Sequence, residues 1–169
     1  MVEHLPEFID PLALADTQRQ FTGSLPLAKM SRLRDMLLSR EGNARLELSF
    51  RKEGRVAAVL GRVEAELELQ CQCCLSPLRW PVSNEVRLGI VRSLEEANLL
   101  PESFEPLLLE AETIPLVDII QDELLLAIPV IPQHVQCEGL LAGDGNPGKP
   151  RENPFAVLAD FKKLGLQEE

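Results

Sequence analysis

A run of alternating apolar and polar residues between positions 44 and 90 most constrains the fold of this chain. In the stretch ARLELSF the leucines and the phenylalanine face one way and the polar residues face the other, as in a half-buried strand. The same alternation recurs over residues 63–70 and again over residues 78–90. Short connections join these stretches, so we predict three consecutive strands in an antiparallel meander. Pro81 cannot donate a backbone hydrogen bond, which predicts that the third strand lies at an edge or is interrupted.

Helical spacing is found in other parts of the chain. Apolar residues three and four apart between positions 27 and 37 predict a short amphipathic helix after Pro26. The stretch LEEANLL predicts a short acidic helix, and EPLLLE is typical of a strand. The clearest helix begins at Pro115 and stops at Pro129, and a short C-terminal helix is predicted from the cap at Asn153.

These elements together predict the α+β class, with an antiparallel β-meander sheet and a few packed helices. The length of 169 residues fits a single domain, which we expect to span residues 1–169. Residues 133–154 hold four glycines and three prolines and have no apolar period, so a flexible loop is predicted there.

The net charge of −10 is unevenly distributed along the chain. Residues 29–62 contain nine basic and four acidic residues, a net charge of +5, whereas residues 93–148 contain eleven acidic residues and neither Lys nor Arg. Such a division is typical either of two solvated surfaces or of one face that can meet phosphates and another that repels them. We predict that RNA contact, if made, uses Arg45, Arg51, Lys52 and Arg55, close to one pair of strands.

Three of the four cysteines lie within the stretch LELQCQCCLSPLRWP, between the second and third predicted strands. Cys71 and Cys74 have the C-x-x-C spacing that directs two thiolates at one ion, and His134 and Cys137 repeat that spacing in IPQHVQCEG. These four residues predict a Cys₃His zinc site at a hairpin tip. The alternatives are a tight turn that carries buried free thiols, a redox pair, and a Cys–His nucleophile.

The start of the chain lacks the basic residues and apolar run of a signal peptide, and no apolar stretch reaches 18 residues. We therefore expect a cytoplasmic protein with reduced thiols, and neither a disulfide nor a membrane contact is predicted. Asp118, Asp122 and Glu123 lie close together on the predicted helix, which allows a metal-dependent nuclease as an alternative function, although paired carboxylates are usually part of a polar helix face.

Four segments together resemble a known family: CQCCLSPLRWPV, ESFEPLLLE, VDIIQDELLLAIPVIPQH and NPFAVLADFKKL are similar to members of the YceD family, the large ribosomal RNA subunit accumulation proteins. The resemblance implies a small cytoplasmic protein needed for synthesis, processing or stability of 23S ribosomal RNA, without established catalytic residues. Many members carry cysteine pairs at both places, whereas the second pair is reduced here to His134 and Cys137.

The resulting hypothesis is a non-catalytic factor that contacts ribosomal RNA or a large-subunit assembly protein. The low aromatic content of 4% offers no stacking platform for bases, and the negative charge opposes broad RNA binding, so the protein-partner route is favoured. A zinc-stapled protein-interaction module is the second hypothesis.

Overall fold

The computed structural model describes residues 5–137. Its main sheet has five strands in the order β2-β3-β4-β5-β6, and a second sheet pairs β1 with β7. The strands are β1 (Phe8–Ile9), β2 (Gln20–Pro26), β3 (Asn43–Glu53), β4 (Val56–Gln70), β5 (Pro77–Val91), β6 (Glu105–Leu108) and β7 (Ile114–Pro115). The helices are α1 (Pro11–Asp16), α2 (Leu94–Ala97) and α3 (Leu116–Ala127). The α+β class is thus confirmed.

The predicted meander is confirmed as β3, β4 and β5, which pair antiparallel in sequence order. β2 adds to β3, also antiparallel. β6 is parallel to β5, because the segment between them crosses over and returns in the same direction. β6 pairs only with the last residues of β5, so Pro81 lies where β5 is an edge strand among the described residues.

One face of the main sheet carries the core. The apolar side chains of β3, β4 and β5 point to this inner face and pack against α1, α3 and the segment between β2 and β3. Phe50 is fully buried there, and its ring meets that of Phe21 edge to face, with centroids 5.8 Å apart. The predicted apolar face of α3 is buried at Leu116, Ile119, Ile120 and Leu124.

The predicted helix between residues 27 and 37 is wrong. The segment forms two 3₁₀ turns, Leu27–Lys29 and Ser31–Leu33, separated by Met30 in an extended conformation. Every apolar residue of the pattern is nevertheless buried, because a spacing of three also fits the period of a 3₁₀ turn. A side chain of α3 fixes this geometry, since Gln121 Oε1 accepts a hydrogen bond of 2.8 Å from the Arg32 backbone N–H.

Some predictions lie wholly or partly outside the described residues. The C-terminal helix from Asn153 does so entirely, and so does the part of the predicted loop from residue 138 to residue 154. Residues 133–137 of that predicted loop are described and belong to no helix or strand.

Candidate metal centre

The tip of the β4–β5 hairpin meets the segment that follows α3. Residues 71–76 connect the two strands, as the sequence predicted, and residues 132–137 run beside them. Gln72 donates its backbone N–H to the carbonyl oxygen of Pro132 at 2.8 Å. Trp80 Nε1 donates to the carbonyl oxygen of Ala127 at 3.1 Å, which holds the end of α3 against β5. These contacts bring the two sequence-predicted half-sites together.

Cys71, Cys74, His134 and Cys137 converge at this junction, and their four ligand atoms all lie within 4.8 Å of one another. Cys71 Sγ is 3.6 Å from Cys137 Sγ, and Cys74 Sγ is 3.5 Å from His134 Nδ1. A tetrahedral ion with Zn–S of about 2.3 Å and Zn–N of about 2.0 Å separates its ligands by about 3.8 Å (S to S) and about 3.5 Å (S to N). These two contacts fit such a tetrahedron.

The second ring nitrogen of His134 lies 3.2 Å from the backbone carbonyl oxygen of Pro77. Because a carbonyl oxygen only accepts, Nε2 carries a hydrogen in this contact, which leaves Nδ1 as the ring nitrogen that faces Cys74 and is placed to bind an ion. Metal-binding histidines commonly have a backbone carbonyl at the other nitrogen, which fixes the ring orientation and tautomer. Pro77 therefore supports the site through its main chain.

The backbone of the hairpin tip folds tightly around the thiols. Leu75 has a positive φ of 62°, and its N–H donates to the Cys71 carbonyl oxygen at 2.9 Å. The Cys71 N–H donates to the Ser76 carbonyl oxygen at 3.0 Å, which closes the turn from the other side. A left-handed residue with a branched side chain costs roughly 1–3 kcal/mol and persists where the surroundings require it. The conformation directs both thiols to the same side.

The thiols of the hairpin tip have altered acidity. Burial alone would raise the pKa of Cys71, but hydrogen bonds from the backbone N–H groups of Cys74, His134 and Cys73 outweigh it and lower the pKa to about 5. The hydroxyl and the backbone N–H of Ser76 lower the pKa of Cys74, whose Sγ lies 2.9 Å from Ser76 Oγ. The tip is thus built to hold thiolates, which are the form of cysteine that binds metals.

The pKa values of the other two members of the group, His134 and Cys137, are both raised. Hydrogen bonds to the sulfurs of Cys71 and Cys74 raise the pKa of His134. The neighbouring thiol of Cys73, followed by burial, raises the pKa of Cys137. Bringing several anionic sulfurs together is unfavourable unless a positive charge lies among them, and a bound divalent cation is a group able to supply that charge.

This Cys₃His arrangement is able to hold a metal ion. Its four protein ligands leave no coordination position for a substrate, as in structural rather than catalytic zinc sites. Cys73 is outside the ligand group, and its Sγ contacts the Cys137 carbonyl oxygen at 3.7 Å.

The residues predicted for RNA contact lie on β3 and in the turn that joins β3 to β4. Arg45 and Arg51 are exposed and share the outer face of the sheet, as the alternation predicted. Lys52 lies on the opposite side of β3 and forms an ion pair with Asp16 of α1. Arg55 is exposed in the turn between the strands.

Carboxylates are interspersed among the arginines of the outer face. Arg45 lies opposite Glu64 in the β3–β4 register, and Glu47 lies opposite Arg62. Arg51 Nη2 is 2.7 Å from Glu53 Oε1. The outer face therefore has alternating charges along these strands, and RNA contact by the four basic residues stays a prediction.

The carboxylates of the nuclease alternative point in different directions. Asp118 and Asp122 are exposed, and Asp122 forms an ion pair with Arg32. Glu123 is only 5% exposed and accepts a hydrogen bond of 2.6 Å from Asn84 Nδ2. Within residues 5–137, the Cys₃His cluster is the only group of three or more His, Cys, Asp or Glu side chains placed to share an ion.

Sequence reasoning missed several supporting residues of these sites. Ser76 and the Pro77 carbonyl act through a hydroxyl and a main-chain atom, for which the pattern carried no signal. Asn84 did leave a signal, because it interrupts the apolar inner-face residues of β5 with a polar side chain. A polar residue at such a position usually has a buried hydrogen-bond partner, which here is Glu123.

In the part of the chain that is described, no helix has the length and apolarity needed to cross a membrane.

Comparisons with known proteins converge on one family. The family described as "Large ribosomal RNA subunit accumulation protein YceD" matches residues 59–162. A protein of Haemophilus influenzae with that name is 30% identical to the chain over 168 residues, which cover 94% of this chain and 97% of that protein. No solved structure matches the chain.

Proposed function

The chain belongs to the YceD family, and from that premise we propose that it is a non-catalytic factor required for accumulation of 23S ribosomal RNA during assembly of the large ribosomal subunit. The observation that carries the proposal is the similarity over nearly the whole chain to a protein named for large ribosomal RNA subunit accumulation. The site of action is cytoplasmic, where ribosomes are assembled, and residues 1–169 act as a single domain.

The absence of catalysis in this proposal is supported by the chemistry of the described residues. The metal-binding group has four protein ligands, a set that suits a structural ion. Asp122 and Glu123 already have partners, Arg32 and Asn84, on different sides of α3.

The proposed cofactor is zinc, bound by Cys71, Cys74, His134 and Cys137. Three thiolates and one imidazole in a tetrahedral arrangement suit Zn²⁺ better than the oxygen-preferring cations. The ion would join the hairpin tip to the segment after α3 and supply stability without taking part in a reaction. The second hypothesis, a zinc-stapled interaction module, is therefore compatible with the proposed role in 23S ribosomal RNA accumulation.

The partner of this factor is proposed to be a protein rather than bare RNA. Affinity for nucleic acid comes mainly from cationic side chains that neutralise phosphates. Each of Arg45, Arg51 and Lys52 has a carboxylate as a cross-strand or ion-pair neighbour. Contact with RNA through these residues and Arg55 is the second route, and it predicts a strong dependence on salt.

A complementation experiment tests the function. In a strain of the source organism that lacks this gene, we expect the ratio of 23S to 16S ribosomal RNA to fall and the intact gene to restore it. The double substitution Arg45→Glu with Arg51→Glu distinguishes the two partners. If the partner is a protein, the variant gene should still restore the ratio; if the contact is with RNA, it should not. Arg19→Glu with Arg92→Glu, at two exposed cations outside the basic segment, is the matched control. An unchanged ratio in the deletion strain would refute the proposed function.

A further inference from the structure

Strand β5 is paired along only part of one side. It pairs with β4 from Pro77 to Gly89, but with β6 only at its C-terminal end, from Leu88 to Val91. Among residues 5–137, no strand pairs with this side of residues 77–87. An unpaired strand edge presents N–H and C=O groups that a further strand can bind.

The direction of these groups follows from hydrogen bonds at the two ends of β5. The Val91 carbonyl oxygen accepts from Leu109 N–H at 2.9 Å on the side of β6. At the other end, the Ser76 carbonyl oxygen accepts from the Cys71 N–H across the hairpin, so the next residue, Pro77, points its carbonyl oxygen away from β4, where it accepts from His134. Strand residues point their backbone groups alternately to the two sides, and the β4–β5 register is continuous from Pro77 to Gly89.

Odd-numbered residues between these two ends therefore point their backbone groups to the open edge. Ser83 and Glu85 each offer an N–H and a C=O there, while Pro81 offers only its C=O. This places a short receptive edge at residues 82–87, between Pro81 and the start of β6. Pro81 limits how far an added strand can extend.

A cleft of about 390 Å³ lies along the same edge. Among the described residues, four carboxylates line it, those of Glu85, Glu102, Glu105 and Glu123, and Arg87 is the single cationic side chain.

The guanidinium of Arg87 is already engaged by neighbouring groups. Its Nη2 is 3.7 Å from Glu53 Oε2, its Nη1 is 4.0 Å from Glu85 Oε1, its Nε donates to the Ser103 carbonyl oxygen at 3.2 Å, and it stacks over the ring of Phe104. One cation against four carboxylates leaves the described part of the cleft with a net negative charge.

Glu123 is the buried member of this set. One of its oxygens accepts from Asn84, and its carboxylate has no ion-pair partner among residues 5–137. Burial raises the pKa of this carboxyl, and the charge of Glu105 adds to the shift, while the hydrogen bond from Asn84 opposes it. A buried carboxylate without a cation is unfavourable, so a guanidinium or ammonium group entering the cleft is stabilised there.

We propose that this edge of β5 is the docking site for an extended, cationic segment of a partner protein, which adds as a strand beside residues 82–87 and places an Arg or Lys side chain in the cleft. The carboxylates select against RNA, because they repel phosphates. The inference deepens the proposed function by naming the partner class, and it rests on that function for the partner's place in ribosome assembly.

Binding of a defined peptide to the full chain tests the site. The probe is a fluorescein-labelled hexapeptide of alternating Arg and Thr, measured by fluorescence anisotropy at low salt. The same Arg-Thr peptide methylated at every backbone nitrogen keeps the charge but has no backbone N–H to donate, and a peptide of alternating Glu and Thr reverses the charge. We expect the methylated peptide to bind at least about tenfold more weakly than the unmethylated Arg-Thr peptide and the Glu-Thr peptide not to bind.

Variants of the chain locate the binding. The double substitution Glu105→Gln with Glu123→Gln should weaken binding of the Arg-Thr peptide by about tenfold or more. The substitution Ser83→Pro should weaken binding to the same extent while leaving the pairing of β5 with β4 intact. The matched control, Glu64→Gln with Glu66→Gln, removes the same charge from the outer face and should change binding by less than about twofold. In nuclear magnetic resonance spectra, the amides of Ser83 and Glu85 should shift on titration.

Equal affinity for the methylated and unmethylated Arg-Thr peptides would overturn the strand-addition proposal, and this comparison uses only the unmodified chain. Unchanged binding by the Glu105/Glu123 variant, amide shifts confined to other strands, or displacement of the peptide from these amides by polyuridylate would also overturn it. If the edge variants lose peptide binding but still restore 23S RNA, the site exists without serving the proposed function. If deletion of the gene leaves the ratio of 23S to 16S RNA unchanged, the proposed function is refuted whatever the peptide result.

Discussion

Removal of the metal ligands provides the sharpest test of the Cys₃His group. Cys71→Ser should abolish binding of one zinc per chain, whereas Cys73→Ser, two positions away on the same hairpin tip, should retain it. The two substitutions are chemically identical, and only the first removes one of the four converging ligand atoms. X-ray absorption of the zinc-loaded protein should show three sulfur ligands at about 2.3 Å and one nitrogen at about 2.0 Å.

The expected loss of stability follows from the loop that the ion closes. Cys71 and Cys137 are separated by 66 positions in the chain. Treated as a cross-link that persists in the unfolded chain, the ion lowers the entropy of that chain by roughly 15 cal/mol/K. Set against a transition entropy of about 2.1 cal/mol/K per residue, loss of this link lowers Tm by about 10–15 °C for a domain of this size.

The assay is thermal unfolding followed by the fluorescence of Trp80, the single tryptophan of the chain, together with metal analysis by mass spectrometry. Cys71→Ser and the chelated parent protein should unfold at the same lowered Tm, and Cys73→Ser should match the zinc-loaded parent. A parent protein purified without metal from zinc-containing medium would refute the site. Equal zinc loss by both cysteine variants would refute the assignment of ligands.

Two further outcomes are expected from the sheet. Gly61→Ala should destabilise the protein by roughly 3–5 kcal/mol in urea unfolding, because its Cβ would lie 1.8 Å from the Glu47 carbonyl oxygen and must force β3 from β4. The control Gly54→Ala has open space and a φ of +61°, so it should cost only about 1 kcal/mol, and equal losses would contradict the argument. Glu123→Gln should raise stability at neutral pH, since glutamine still accepts from Asn84 and burial raises the pKa of the carboxyl. The Glu123 carboxyl therefore binds a proton more tightly in the folded state than in the unfolded state. The gain in stability from Glu123→Gln should shrink as the pH falls from above the folded pKa towards the unfolded value near 4.5. A gain in stability that does not depend on pH would refute the role of this charge.

Elements whose patterns are local were predictable from the sequence. The alternation in β3, β4 and β5 reports a half-buried sheet directly, and the apolar spacing of α3 reports one buried helix face. The hairpin tip followed from the turn between two alternating runs. The spacing of Cys71 with Cys74 and of His134 with Cys137 then predicted which side chains converge, although α3 had to return to the hairpin tip to bring them together.

Elements that depend on distant contacts were not predictable in the same way. The segment from Leu27 to Leu37 has helical spacing but forms 3₁₀ turns, because Gln121 of α3 binds its backbone. β2 was missed since Gly23 occupies one of its few inward positions and leaves room for Leu5. The parallel direction of β6 is set by the crossover after β5, which no periodicity reports.

The length of β4 places the two ends of this strand far apart. Fifteen residues at about 3.3 Å each place the thiol-bearing end up to about 45 Å from the turn that carries Arg55. Residues so far apart share no neighbours, so free-energy changes caused by substitutions at the two ends should sum without a coupling term. Substitutions can therefore alter one end of the strand without changing the properties of the other.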